Sequence, residues 1–256
     1  MKRPNKIILV LLITISTVVI FFSVYKIFYQ DDSAISEKNN KDIEKTIYEP
    51  SESNDIDDRA ALPQKKLLDI KFIPQAPFHD WEEPWQNACE EAAVLNTYYY
   101  LEGKQNISND QIRDDIQAMV NWQVRYFGQH KDLNIAEVAV VIKQYLGYDY
   151  KIIEIKSIDD IKKEIDRGNP IVIPAAGRIL QNEHFTQPAP VYHMLTVIGY
   201  TQNKIITNDP GTQFGEKLEY SYENIMASIH DWEEGVKEDP DLIVEGEQVG
   251  IVLVDS

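Results

Sequence analysis

One cysteine, Cys89, stands among the 256 residues of this chain. It lies in "WQNACEEAAVLNTYYYLEG", where Ala88, Ala92, Leu95 and Tyr99 recur at helical spacing and Gly103 follows as a stop. A lone cysteine has no partner in its own chain, which leaves a reactive thiol, an intermolecular bridge or a small buried apolar group. Its place at a helix start favours the reactive thiol. Unsatisfied backbone N–H groups and the positive end of the helix dipole stabilise a thiolate and lower its pKa from about 8.5. Thiolate is the nucleophile of acyl-transfer chemistry. Glu90 and Glu91 either oppose this by adding negative charge or point outward and suit the first helical turn.

A thiolate nucleophile needs a base, and the base needs an orienter. Of five histidines, His79, His130 and His184 lie in loops and His230 follows a late helix. His193 differs, because it opens the apolar strand "HMLTVIGY" directly after the turn-rich "PAPVY". A histidine at a strand mouth can project into a cleft on a rigid backbone; the bland alternative is a half-buried structural histidine. After a short turn, "KIITNDPG" runs back as a second strand, so Asp209 at its exit returns close to His193 at the entrance. Asp209 can then fix the imidazole tautomer that faces Cys89. Asn208 competes for that role, and "NDPG" alone reads as an ordinary turn.

These groups need a frame. Helices are expected at 109–120 beside the cap Ser108, at 135–146 between Asn134 and Gly147, and at 157–168 between Ser157 and Gly168. "SYENIMASIH" reads as one more. "YKIIEIK" and "PIVIPA" suit strands, and "YHMLTVIGY", "KIITNDP" and "QVGIVLVD" suit an antiparallel sheet broken by turn signals. Helices early and a sheet late predict an α+β domain over 65–256.

The segments "FIPQAPFHDWEEPWQNACEEAAVLNTYYYLEG", "VYHMLTVIGY" and "KIITNDPGT" resemble the C39-like group of papain-fold cysteine peptidases. The similarity runs from about Lys71 to Asp255. It implies a helical part carrying the nucleophile, packed on an antiparallel sheet that carries histidine and aspartate. Position by position, it implies Cys89 as nucleophile, His193 as general base and acid, and Asp209 as orienter. It also implies an upstream glutamine whose amide joins the cysteine's backbone N–H in stabilising the oxyanion. Removing one such donor typically costs about 10²–10³ in rate. Gln75 in "FIPQ" is the preferred match, fourteen residues before Cys89, and Gln86, three residues away, is the rival. Glu90 departs from the pattern, since many relatives place Gly after the cysteine. The best-known members are fused to a transporter; this sequence shows no P-loop, so that particular job is not expected of it.

Residues 1–30 are of another kind. Lys2, Arg3 and Lys6 precede "IILVLLITISTVVIFFSVYKIF", long enough for one transmembrane helix. No small-residue cleavage site follows, so an uncleaved anchor is expected rather than a cleaved signal peptide. The basic residues keep the N-terminus cytoplasmic and place the remainder outside the cell membrane. Residues 31–64 are polar and acid-rich and read as a flexible linker. A net charge of −17 excludes a basic stripe for nucleic acid. One cysteine and five scattered histidines give no zinc spacing, so no metal and no cofactor is expected. Trp81 and Trp85 flank the nucleophile and are expected to shape its pocket.

The reading is therefore a membrane-anchored hydrolase that cleaves a peptide or amide bond, its partners being a peptide or protein substrate and the membrane. One alternative is a cell-wall amidase or endopeptidase of the NlpC/P60 kind, which usually shows "DCSG"-like signatures and a second histidine as orienter. The other is a papain-like domain that binds a peptide without cleaving it.

Overall fold

The computed structural model describes residues 62–232 and 242–254. The apolar run at 7–28 and the linker up to residue 61 lie outside the described residues. Among those described, no helix is long and apolar enough to cross a membrane.

The chain enters through a short strand β1 (Lys66–Leu67) and an extended segment, makes a 3-10 turn at Trp85–Asn87, and starts α1 (Cys89–Leu101). Gly103, at φ 64°, ends α1 in the left-handed conformation that favours glycine. Ser108 caps α2 (Asn109–Phe127) by accepting from the Gln111 N–H at 3.2 Å. Asn134 and Glu137 form a capping box at the start of α3 (Ile135–Val140), which continues as a π turn over Val141–Leu146 to Gly147. Then follow β2 (Asp149–Glu154), α4 (Ile158–Asp166), β3 (Ile171–Ala176), the single turn α5 (Gly177–Leu180), β4 (Tyr192–Tyr200), β5 (Lys204–Asn208), β6 (Leu218–Ser221), α6 (Tyr222–Ser228) and β7 (Val249–Val254).

The architecture is α+β with one antiparallel sheet in the order β2-β7-β3-β4-β5-β6, and β1 also pairs with β4. Two expectations change. The second helix runs seven residues past 120, because Trp122, Gln123 and Phe127 continue its packed face until Gly128 at φ 82° stops it. The sheet is also not confined to the last third, since β2 and β3 precede the hairpin and join the same sheet.

All nine residues of β4 are buried, which fits its unbroken apolar run. On one face, Tyr192 and Met194 share a core with Ala92 and Ala93 of α1, Ile112 and Met119 of α2, and Val138 of α3. On the other, Leu195 and Val197 pack with Ile161 and Ile165 of α4 and Ile225 of α6. The sheet thus lies between two helical layers. Thr196 of β4 donates its hydroxyl to the Ala93 carbonyl at 2.9 Å, pinning α1 to the central strand.

Candidate active site

The hairpin β4–β5 brings together two of the side chains singled out in the sequence. His193 and Asp209, sixteen residues apart, meet at the hairpin's outer end with Nε2 to Oδ1 at 2.7 Å. Both are buried. Asp209 accepts three further bonds: from the Gly211 N–H to Oδ1 at 3.1 Å, from the Asn182 amide to Oδ2 at 2.9 Å and from the Tyr220 hydroxyl to Oδ2 at 2.8 Å. Burial alone pushes its pKa up, but the charge of His193 and these bonds reverse the shift and hold the carboxyl below its usual range. An ionised Asp209 accepts from Nε2–H, so in the neutral ring Nδ1 is the nitrogen left to take a proton. The ring of Phe185 stands edge-on to the imidazole at 5.1 Å. A Cβ on Gly211 would lie 2.7 Å from the imidazole Cε1, so glycine there permits the close approach of this loop.

Asn208 does not orient the histidine. Its side chain donates to Asn96 of α1 at 2.9 Å and accepts from the Lys217 N–H at 3.2 Å. It is a tie between helix and sheet. The alternation of a strand accounts for this, since neighbouring Asn208 and Asp209 point to opposite faces.

Cys89 is the first residue of α1 and is buried, 6% exposed. α1 and β4 run side by side in the same sense: Ala93 meets Thr196, and Tyr192 lies within reach of the charges of Glu90 and Cys89. The starts of both elements therefore share one end of the fold. Between the described residues, the bond of the Cys89 thiol goes not to His193 but to Glu90, with Sγ to Oε2 at 3.2 Å. Burial, then the charges of Glu90 and Asp132, push the thiol pKa up. The depression expected from the helix terminus is overridden, because desolvation and two nearby carboxylates outweigh partial charges at the helix end.

Neither glutamate points outward. Glu90 and Glu91 are each 1% exposed, since the loop 128–134 closes over the first turn of α1. Glu90 Oε1 accepts the Leu133 N–H at 3.1 Å. Glu91 accepts from the Gln123 amide and pairs with His130 Nε2 at 3.2 Å. Burial pushes the Glu90 carboxyl up, and the charges of Asp132 and Glu91 push it further.

Gln75 and Gln86 separate clearly. Gln75 is 4% exposed, and its amide donates to the carbonyls of Trp85 at 2.8 Å and Gln86 at 3.0 Å. Two carbonyl acceptors fix the amide's orientation, and its Oε1 is buried with no partner. The Gln75 backbone N–H donates to the Pro210 carbonyl at 3.1 Å, tying the segment before α1 to the loop after Asp209. The Gln86 side chain is exposed. Trp85 packs on the core while Trp81 is exposed at 37%. The remaining histidines serve elsewhere: His184 lies against Phe214 and His230 bonds the Gly246 carbonyl.

Sequence reasoning missed Asn182 and Tyr220. Tyr220 lies on β6, a strand without a strong apolar run, and Asn182 in a loop; only tertiary contact reveals them. Among the described residues, no group of three or more His, Cys, Asp or Glu side chains is arranged to hold a metal ion.

The model of the Peptidase_C39 like family matches residues 67–239. Among solved structures, one described as a C39-like peptidase from Bacillus anthracis is similar at 16% identity and TM-score 0.47, covering 76% of this chain and 99% of that one. The digestive procathepsin L 3 of Tenebrio molitor larval midgut is similar at 9% identity and TM-score 0.45, covering 88% and 89%. Xylellain, a cysteine protease from Xylella fastidiosa, is similar at 15% identity and TM-score 0.35, covering 82% and 92%. No curated protein matches the chain.

Proposed function

The chain belongs to the Peptidase_C39 like family, and from that membership and the geometry of its site we propose that it is a cysteine peptidase with a papain-like arrangement, cleaving a peptide or related amide bond. The observation that carries the reading is the buried His193–Asp209 pair at 2.7 Å, set at the strand mouth that adjoins the start of α1. In this mechanism the Cys89 proton passes to Nδ1 of His193 and the sulfur attacks the scissile carbonyl. The imidazolium is stabilised by ionised Asp209, then protonates the leaving amine, and water releases the acyl-enzyme. Gln75, rather than Gln86, is the glutamine of this site. Both its amide hydrogens hold the turn before Cys89, so serving an oxyanion means exchanging one of those carbonyls for the substrate oxygen.

The same reading puts the hydrolase on the outer side of a membrane, supported by the basic residues ahead of the apolar run at 7–28. The NlpC/P60 alternative loses ground because the partner of His193 is a carboxylate rather than a second histidine. The binding-module alternative has one observation in its favour, the thiol bonded to Glu90 instead of the imidazole.

Turnover of a quenched-fluorescence peptide library by the full chain tests the reading. Cys89→Ala is expected to abolish turnover while far-UV circular dichroism and the thermal midpoint stay within the wild-type range, and His193→Ala to abolish turnover with a lowered thermal midpoint, since it leaves Asp209 buried without its imidazole. Undiminished turnover by Cys89→Ala removes the mechanism, and a wild-type chain that cleaves nothing and leaves its thiol unlabelled by electrophiles at neutral pH supports the binding module.

A further inference from the structure

Glu90 is the residue whose placement the proposed mechanism does not use. Its side chain is 1% exposed, fixed at one oxygen by the Leu133 N–H at 3.1 Å, and its other oxygen takes the Cys89 thiol at 3.2 Å. Leu133 is itself held, since its carbonyl accepts the Tyr192 hydroxyl at 2.9 Å, one residue before His193. The carboxyl is thus aimed at the sulfur by a backbone donor that is locked to the central strand.

We propose that Glu90 is a positioning residue that keeps Cys89 as a protonated thiol in the resting protein, so that the first step of turnover is exchange of the thiol's bond from Glu90 to Nδ1 of His193. The inference rests on the reading of Cys89 and His193 given above. In that step the S–H proton moves to Nδ1, the electron pair stays on sulfur, and the Glu90 carboxyl loses only a hydrogen bond. The surroundings support the direction. Glu91 on α1 and Asp132 in the loop 128–134 add carboxyls around the pair, and Asp231 after α6, itself beside Glu137, acts with the pair on Tyr192. Tyr192 on β4 lies within reach of the charges of Cys89 and Glu90, and His130 is paired with Glu91. One imidazole already engaged by Glu91 offsets little of this. A second negative charge on sulfur next to a carboxylate is disfavoured unless the imidazole takes the proton.

The single cysteine makes the test direct, because alkylation of the full chain by iodoacetamide reports on Cys89 alone. The rate is followed from pH 5 to pH 10 in wild type, Glu90→Gln, Glu90→Asp and Glu90→Gln with His193→Ala. Glu90→Gln keeps size and an acceptor oxygen but removes the carboxyl whose ionised form would repel a thiolate. Its profile is expected to shift down by about one pH unit, with alkylation at pH 7 roughly tenfold faster. Glu90→Asp, whose carboxyl stops one methylene short, is expected to shift the same way by less, and it carries the test should the Gln variant fail to fold. Adding His193→Ala is expected to return the midpoint upward, because the freed thiolate depends on the imidazole. Simple loosening of the site would leave the double variant where the single one lies, which counts against the proposal. A Glu90→Gln profile superimposable on wild type overturns it outright. If that happens while turnover still requires Cys89, the Glu90 inference alone falls. Turnover surviving Cys89→Ala removes the underlying reading whatever the alkylation profile.

Discussion

Asp209 is a fully buried carboxylate and Asp231 a half-buried one bonded to the Tyr192 hydroxyl, and their acidities move in opposite directions. Asp209 receives four donors and is held below the usual carboxylate range. Asp231 receives the Ile135 and Trp232 N–H groups and the Tyr192 hydroxyl, three donors in all, yet burial pushes its pKa up to about 7. One donor more does not account for a reversal. The decisive difference is the imidazole, which supplies charge to Asp209, whereas the donors of Asp231 are neutral and Glu137 adds repulsion. Glu90 follows Asp231, with an N–H, a thiol and two carboxylates for neighbours. The hairpin end of the site is therefore built to keep a charge, and the end beside the helix start and loop 128–134 is built to suppress one.

The largest break of this contrast is Asp209→Ala. It strands His193, the Asn182 amide and the Tyr220 hydroxyl around an empty acceptor position. Removing one partner of a buried pair typically destabilises by about 3–5 kcal/mol. Urea unfolding at pH 7 is expected to return a loss in that range. A loss below about 1 kcal/mol would mean that water replaces the carboxylate and that the cage is not as closed as its contacts imply.

The hairpin end was legible in the sequence because its logic is local. A strand, a short turn and a returning strand bring residues 193 and 209 together by counting alone, and period-two alternation separates Asp209 from Asn208 once one of them is placed. The cysteine at the start of α1 was equally readable from the spacing of Ala88, Ala92 and Leu95. Its electrostatics were not. Two glutamates in a first helical turn look the same whether they face water or lie under a loop. Only the return of residues 128–134, through the Leu133 N–H and His130, makes them buried. Gln75 shows the same limit. Its match was visible, but its bonds to Trp85 and Gln86 depend on how the intervening loop folds back.

Asp231→Asn tests the charge-suppressing end. Its folded pKa of about 7 lies above the ordinary 3.8, so the stability it confers is full below the unfolded pKa and is lost as pH rises through about 7. Unfolding free energies measured at pH 5 and pH 8 are expected to fall more steeply in wild type than in the variant. The shift alone would allow a larger effect, but the residue is only half-buried, which reduces the difference to about 2 kcal/mol. Parallel pH curves would show that Asp231 stays ionised, and the contrast with Asp209 would then be one of degree.

Tyr220→Phe is the mildest perturbation and sharpens the other end. It removes one donor from Asp209 Oδ2 and leaves the Asn182 amide and the imidazole in place. The net cost of a single hydrogen bond to a charged group is about 1.5–3 kcal/mol at most, and roughly 1 kcal/mol where other donors remain. Because the folded pKa of Asp209 is depressed, its stabilisation is present above the unfolded pKa and is lost as pH falls through the folded one. Losing the Tyr220 donor raises that folded pKa, so the variant differs most from wild type near pH 7 and converges with it as Asp209 protonates in acid. A difference that persists unchanged to pH 2 would assign the loss to packing of the Tyr220 ring, and the imidazole alone would then account for the ionised state of Asp209.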